Sequence, residues 1–262
     1  MVGYVRNRTF GVHSFGNILF GKAQKIQLRL TALKIALKIN YMIEENVKKV
    51  LSEIPETNPF GEKITVVAAV KFQSAENINA AVRAGVRCIG DNHVQEFRDK
   101  YGFIEGNPER HFIGHLQTNK IKYLLGKVDL YQSLDSMRLA AELSSKSEKA
   151  GIVSCGLLEV NIGGETSKGG FSYEEAENAY KEIKKLPNLK LKGLMAMLPL
   201  TDDVEVLTDC AKKMRQLYDR IDDCDKTYLS MGMSGDWKLC IENGSNMIRL
   251  GTSLFGQRNY SK

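Results

Sequence analysis

From Ile64 onward the chain repeats one pattern eight times, a short apolar run followed by a helix-like segment, with no long linker between repeats. The strand-like runs are Ile64–Lys71, Arg87–Gly90, Arg110–Gly114, Leu130–Leu134, Gly156–Ile162, Leu191–Leu198, Tyr228–Met231 and Met247–Leu250. Between them the spacing predicts helices over Ser74–Ala84, His93–Gly102, Thr118–Leu125, Ser136–Ala150, Tyr173–Leu186, Asp203–Ile221 and Asp236–Asn243. Such runs suit strands buried on both faces, which parallel sheets provide and helical crossovers join. Eight units in about 200 residues predict a single (β/α)8 TIM-type barrel, with a doubly wound sheet as the alternative. In either arrangement the groups that do chemistry collect where strands end and loops begin.

The region before the first repeat has a different character. Residues 1–43 hold seven Lys/Arg and no carboxylate, the first acid being Glu44, which leaves 30 basic groups against 31 acidic for the rest of the chain. The formal charge of +6 therefore belongs to a leader rather than to a nucleic-acid surface. Residues 1–31 read as a basic leader, either a mitochondrial transit-like segment or a disordered extension of a cytoplasmic protein. Residues 32–262 read as the barrel, preceded by an extra amphipathic helix over Ala32–Ile54 that Pro55 ends. No apolar run reaches the roughly 20 residues of a membrane span. Five cysteines without a C-x-x-C pair argue for free thiols, and against a disulfide scaffold or a zinc site.

In ITVVAAVK seven residues, six of them apolar and the other a β-branched threonine, deliver one lysine, Lys71, to a strand end. The ordinary fate of such a lysine is to snorkel to solvent. Burial at that end would instead disfavour the ammonium, and a neutral amine is what an aldehyde needs to form an imine. Strand ends seven and eight carry Ser234-Gly235-Asp236 and Gly251-Thr252, where free backbone N–H groups, hydroxyls and glycines suit a phosphate monoester. Each alone is an ordinary N-cap pattern; their coincidence at adjacent strand ends favours phosphate. Arg249, inside the apolar strand eight, requires a carboxylate or a ligand atom as acceptor. Lysine, arginine and phosphate loops together suggest pyridoxal 5′-phosphate, with the ring nitrogen at Arg249 kept unprotonated and the ring a weak electron sink.

From about Ile64 to Arg258 the motifs VAAVK, AGVRCIGDNHVQE, HFIGHLQTNK, NIGGETSKGG, GLMAMLPL, LSMGMSGDW and GSNMIRLGTSLFGQR occur in order. In these the sequence resembles the pyridoxal phosphate homeostasis proteins, related to the N-terminal barrel of alanine racemase. The resemblance implies Lys71 as the Schiff-base lysine, Ser234, Gly235, Gly251 and Thr252 at the phosphate, Arg249 at the pyridine nitrogen and Asn92 close to the cofactor. Val70, Asp91, Gly169 and Ala196 depart from the family's usual residues, which bears on packing around the ring.

His111 and His115 stand at i, i+4 on a strand, where they share no helical face, so no metal site is expected. Glu165, Ser167 and Lys168 read as a solvated loop, and Tyr101, Tyr123 and Tyr131 as packing residues. Three functions remain. The first is a non-catalytic holder of pyridoxal phosphate in vitamin B6 homeostasis, a monomer or weak dimer passing cofactor to apoenzymes, without nucleic-acid or membrane partners. The others are an amino-acid racemase, expected weak because no second domain follows Gly251, and a Schiff-base lyase acting on a sugar phosphate.

Overall fold

The computed structural model describes residues 12–165 and 168–257. Eight strands, β1 (Thr65–Ala69), β2 (Cys88–Asp91), β3 (Glu109–Phe112), β4 (Leu130–Leu134), β5 (Ser154–Val160), β6 (Leu189–Ala196), β7 (Tyr228–Ser230) and β8 (Met247–Leu250), pair in parallel and in chain order, and β8 closes onto β1. This is the expected (β/α)8 barrel, and closure excludes the doubly wound sheet.

Helices return the chain between most strands: α2 (Ala75–Arg83), α3 (Val94–Lys100), α4 (Met137–Lys149), α5 (Tyr173–Lys184), α6 (Val204–Arg220) and α7 (Trp237–Glu242), with α8 (Thr252–Phe255) after β8. Their starts are written in the sequence. The Ser74, Ser136 and Ser172 hydroxyls accept from the amides of Asn77, Leu139 and Glu175, and Glu175 completes a capping box. The crossover from β3 to β4 is a 3-10 segment, Thr118–Tyr123, rather than the expected α-helix.

Side chains divide by strand alternation. Val67, Cys88, Ile113, Leu130, Leu157, Met195 and Met247 fill the barrel interior. Alternate residues such as Leu158, Leu194 and Leu229 face outward against the helices. On β6 this phase slips: Leu189 and Leu191 face outward, yet so do Leu194 and Ala196. The β5–β6 register shifts at that place, and Gly193 takes φ 133°, where a β-carbon would lie 1.9 Å from the Tyr228 carbonyl oxygen. A side chain there would overlap that oxygen, so the bulge requires glycine.

The helix α1 runs Val12–Glu53, beginning twenty residues before the expected Ala32. The chain divides into two compact units between Met42 and Ile43. In the second, Ile43 and Val47 are buried with the core under α2, and Val50, Leu51 and Ile54 pack against it. Leu33 and Leu37, expected on the same buried face, are exposed. Periodicity alone did not distinguish them, because apolar residues continue around the helix before Ile43. None of the helices among the described residues is long and apolar enough to cross a membrane.

Candidate functional site

Strand β1 lies between β8 and β2. Val67 and Ala69 face the interior and Val70 is fully buried on the outer side, so Lys71 continues the inward series just past the strand end, half-buried. The turn beneath it is tied down. The Val70 amide donates to the Gly90 carbonyl at 2.9 Å and the Gln73 amide to the Val70 carbonyl at 3.1 Å. The Phe72 amide donates to the Glu96 carboxylate at 2.7 Å. Phe72 itself sits at φ 63°, a left-handed conformation that a bulky residue adopts only when its surroundings impose it. Lys100 braces the same turn, donating to the Val70 carbonyl at 3.2 Å and to Glu96 at 3.0 Å. Its neighbour Asp91 is buried, which pushes its carboxyl up to about 6 even with Lys100 opposing.

The β1–β2 register pairs Val67 with Cys88 and Ala69 with Gly90, so Lys71 and Asn92 each follow by two residues the last paired position of neighbouring strands. Gly114 makes the place for Asn92: a β-carbon on Gly114 would lie 2.1 Å from the Asn92 carbonyl oxygen. The Asn92 Oδ1 is buried and, among the described residues, has no hydrogen-bond partner. A buried acceptor left without a donor costs about 1–3 kcal/mol, which a ligand donor would recover.

On the other flank Gly251 approaches Ala69, with 3.7 Å between its would-be β-carbon and the Ala69 side chain. The Ser234 hydroxyl accepts from the amides of Gly251 at 3.2 Å and Ser253 at 3.3 Å, joining the β7 and β8 loops. The Gly235 and Thr252 amides have no protein acceptor among the described residues, and a β-carbon on Gly235 would meet nothing within 4 Å. Two loops thus present backbone donors, a hydroxyl and an open approach to the main chain, a set of donors suited to an anion. Asp236 does not begin the helix as expected but precedes α7 as its N-cap, its carboxylate accepting from the Met233 amide.

Arg249 points into the barrel and is buried. Its acceptors are neither of the two expected kinds. Nη1 donates to the Ser230 carbonyl at 3.0 Å and hydroxyl at 2.6 Å, and Nη2 to the Ala196 carbonyl at 2.9 Å. Strand ends of β6 and β7 thereby hold the guanidinium, a long-range arrangement that the local sequence of β8 does not encode. Burial lowers the Arg249 pKa, and the largest opposing influence is the charge of Glu159. Sequence reading missed Glu159, a buried carboxylate inside LLEVNI whose inward alternation with Leu157 was the available signal. Burial and then Asp135 push its carboxyl up to about 7, against Arg249 and His115.

Ser230 in turn donates to Gln132 Oε1 at 2.8 Å, and Gln132 Nε2 lies 2.8 Å from His111 Nδ1. His111 is therefore an interior residue, while exposed His115 pairs with Asp135 at 2.8 Å, so the two histidines do not act together. Lys168 donates to Glu165 at 2.7 Å and to the Leu198 carbonyl, so these two charges are partnered rather than merely solvated; Ser167 lies outside the described residues. Tyr101 packs on Phe97, Tyr123 lies under Arg98 and Tyr131 is buried in the outer core, as packing residues should be. Among the departures from the family's usual residues, Val70 and Ala196 are buried on the outer side, and Gly169 lies against Asp135.

The profile described as alanine racemase, N-terminal domain, matches residues 42–259. A pyridoxal phosphate homeostasis protein of Aquifex aeolicus is 41% identical over 199 residues, covering 74% of this chain and 87% of its own. The chain belongs to the pyridoxal phosphate homeostasis protein family. Its counterpart in Escherichia coli K12 is 36% identical, covering 77% of this chain and 88% of that one. Among solved structures, PipY of Synechococcus elongatus PCC7942 with PLP bound superposes with a TM-score of 0.72 at 27% identity, covering 82% of this chain and all of that one. Alanine racemase of Clostridium difficile 630, at 16% identity and a TM-score of 0.67, shares the fold over 86% of this chain and 58% of its own.

Proposed function

We propose that this member of the family binds pyridoxal 5′-phosphate at the C-terminal mouth of the barrel, with Lys71 as the imine-forming amine, and serves vitamin B6 homeostasis as a holder of the cofactor. The observation that carries this is the convergence of Lys71 and Asn92 from one side with the Ser234 and Gly251 loops from the other, across the strand that bears Arg249. The residues present fit the group. An unpartnered buried Asn92 Oδ1 awaits a donor, and the Gly235 and Thr252 amides, with the Ser234 hydroxyl, suit its phosphate.

When bound, the cofactor supplies an aldehyde to an amine and a ring able to accept electrons from a substrate carbon. The chain's own residues decide how far that second capacity is used. Arg249, fixed by carbonyls of β6 and β7, would set a cation against the pyridine nitrogen and disfavour its protonation. That supports storage and delivery to PLP-dependent apoenzymes over catalysis.

The test is deuterium exchange at the α-carbon of alanine in heavy water, followed by NMR on the loaded protein. Exchange far slower than the ~1 s⁻¹ of ordinary enzymes is expected. Exchange at or above that rate would replace the holder by the racemase.

A further inference from the structure

The opposite, N-terminal end of the barrel interior carries a second constellation that the cofactor site does not use. On β3, Glu109 and His111 are two residues apart and so share the inward face, and the register sets Cys88 of β2 directly beside Glu109. The Cys88 Sγ and one ligand atom each from Glu109 and His111 lie within 4.8 Å of one another, His111 Nε2 and Glu109 Oε1 being 3.0 Å apart. Cys88 and His111 are buried, and the Glu109 side chain, 43% exposed, opens the group to solvent. Cys88 opens the strand that Asn92 follows, four residues on, a separation of roughly 13 Å.

We propose that Cys88, Glu109 and His111 form a binding site for a borderline-soft divalent cation of the zinc type, with an open fourth position toward solvent. One thiolate, one imidazole and one carboxylate is a donor set that zinc accepts, whereas magnesium and calcium prefer oxygen alone. The surroundings are charged to suit a cation. The carboxylates of Glu109 and Asp129 set a negative field at Cys88. A partner for the far ring nitrogen of His111 is also at hand. Gln132 faces His111 Nδ1 at 2.8 Å, and with its amide turned over, Oε1 would accept from Nδ1–H and Nε2 would donate to Ser230 Oγ. On binding, the cation takes the Cys88 sulfur in place of its proton, which leaves to solvent. The single proton of neutral His111 moves from Nε2 to Nδ1, freeing Nε2 as a ligand.

The probe is zinc chloride, applied to the full chain by equilibrium dialysis with elemental analysis and zinc X-ray absorption. One zinc per chain is expected, with a single sulfur among nitrogen and oxygen neighbours. Cys88→Ser and His111→Gln should each lower affinity at least 100-fold, while Cys224→Ser, at an exposed thiol, should not change it. In case the interior variants misfold, Glu109→Gln at the solvent-facing ligand gives an independent arm, with affinity lowered about tenfold and the circular dichroism spectrum unchanged. No saturable zinc binding by the wild-type chain, or binding that survives Cys88→Ser in a folded variant, would overturn the proposal.

Discussion

Arg249 and Glu159 show how single residues in the barrel interior trade stability for a polar mouth. Removing the Ser230 hydroxyl leaves Arg249 Nη1 with one acceptor fewer and Gln132 Oε1 without its donor. Ser230→Ala should therefore cost about 1–3 kcal/mol in urea unfolding, more than an exposed serine such as Ser52 would. Glu159 makes a pH prediction whose sign runs opposite to that of a salt-bridged acid. Its carboxyl titrates near 4.5 when unfolded and near 7 when folded, chiefly through burial. Below pH 4.5 both states hold the proton and nothing is lost. Between 4.5 and 7 the unfolded chain releases a proton that the native state keeps, so native stability falls as pH rises. Above 7 the loss is constant, at up to about 3 kcal/mol. Glu159→Gln should flatten this slope, and urea midpoints at pH 5 and pH 8 measure it; an unchanged slope would show that the carboxyl ionises freely in the folded barrel.

At the scale of elements, the Ile43–Lys262 unit has its own core, closed at the start by Ile43 and Val47 on the residues beneath α2. Deletion of residues 1–31 should then leave cofactor binding unchanged and shift the melting temperature by no more than about 2 °C, which differential scanning calorimetry would report. A drop of 10 °C or more would mean that the leader is part of the folded unit. Most of the elements were legible because their signals are local. Ser74, Ser136 and Ser172 mark helix starts with their own hydroxyls, and the VVAA and MIRL runs declare buried strands. What was not legible depends on distant partners. The phase slip at Gly193 answers to the Tyr228 carbonyl, Phe72 is held left-handed from Glu96, and Arg249 finds its acceptors on two other strands. The candidate site was read as a set of residues but not as a set of bonds, which is why the carbonyls, Glu159 and the His115–Asp135 pair were unforeseen.

For the molecule as a whole, the barrel places its two polar ends on neighbouring strands that share β2, with β1 and β2 delivering Lys71 and Asn92 to one mouth and β2 and β3 setting Cys88, Glu109 and His111 at the other. Apolar side chains such as Val67, Leu157 and Met195 fill the space between, crossed by the buried Arg249–Ser230–Gln132–His111 hydrogen bonds. The central claim is that the first mouth takes pyridoxal phosphate through one lysine. Its most direct measurement is visible absorption of the chain titrated with pyridoxal phosphate, followed by borohydride reduction and peptide mapping, for wild type and Lys71→Ala. The account predicts a saturable visible band in the wild type that borohydride bleaches, a pyridoxyl group on the peptide bearing Lys71, and neither in the variant. The same band in Lys71→Ala, or the label on another lysine, would contradict it.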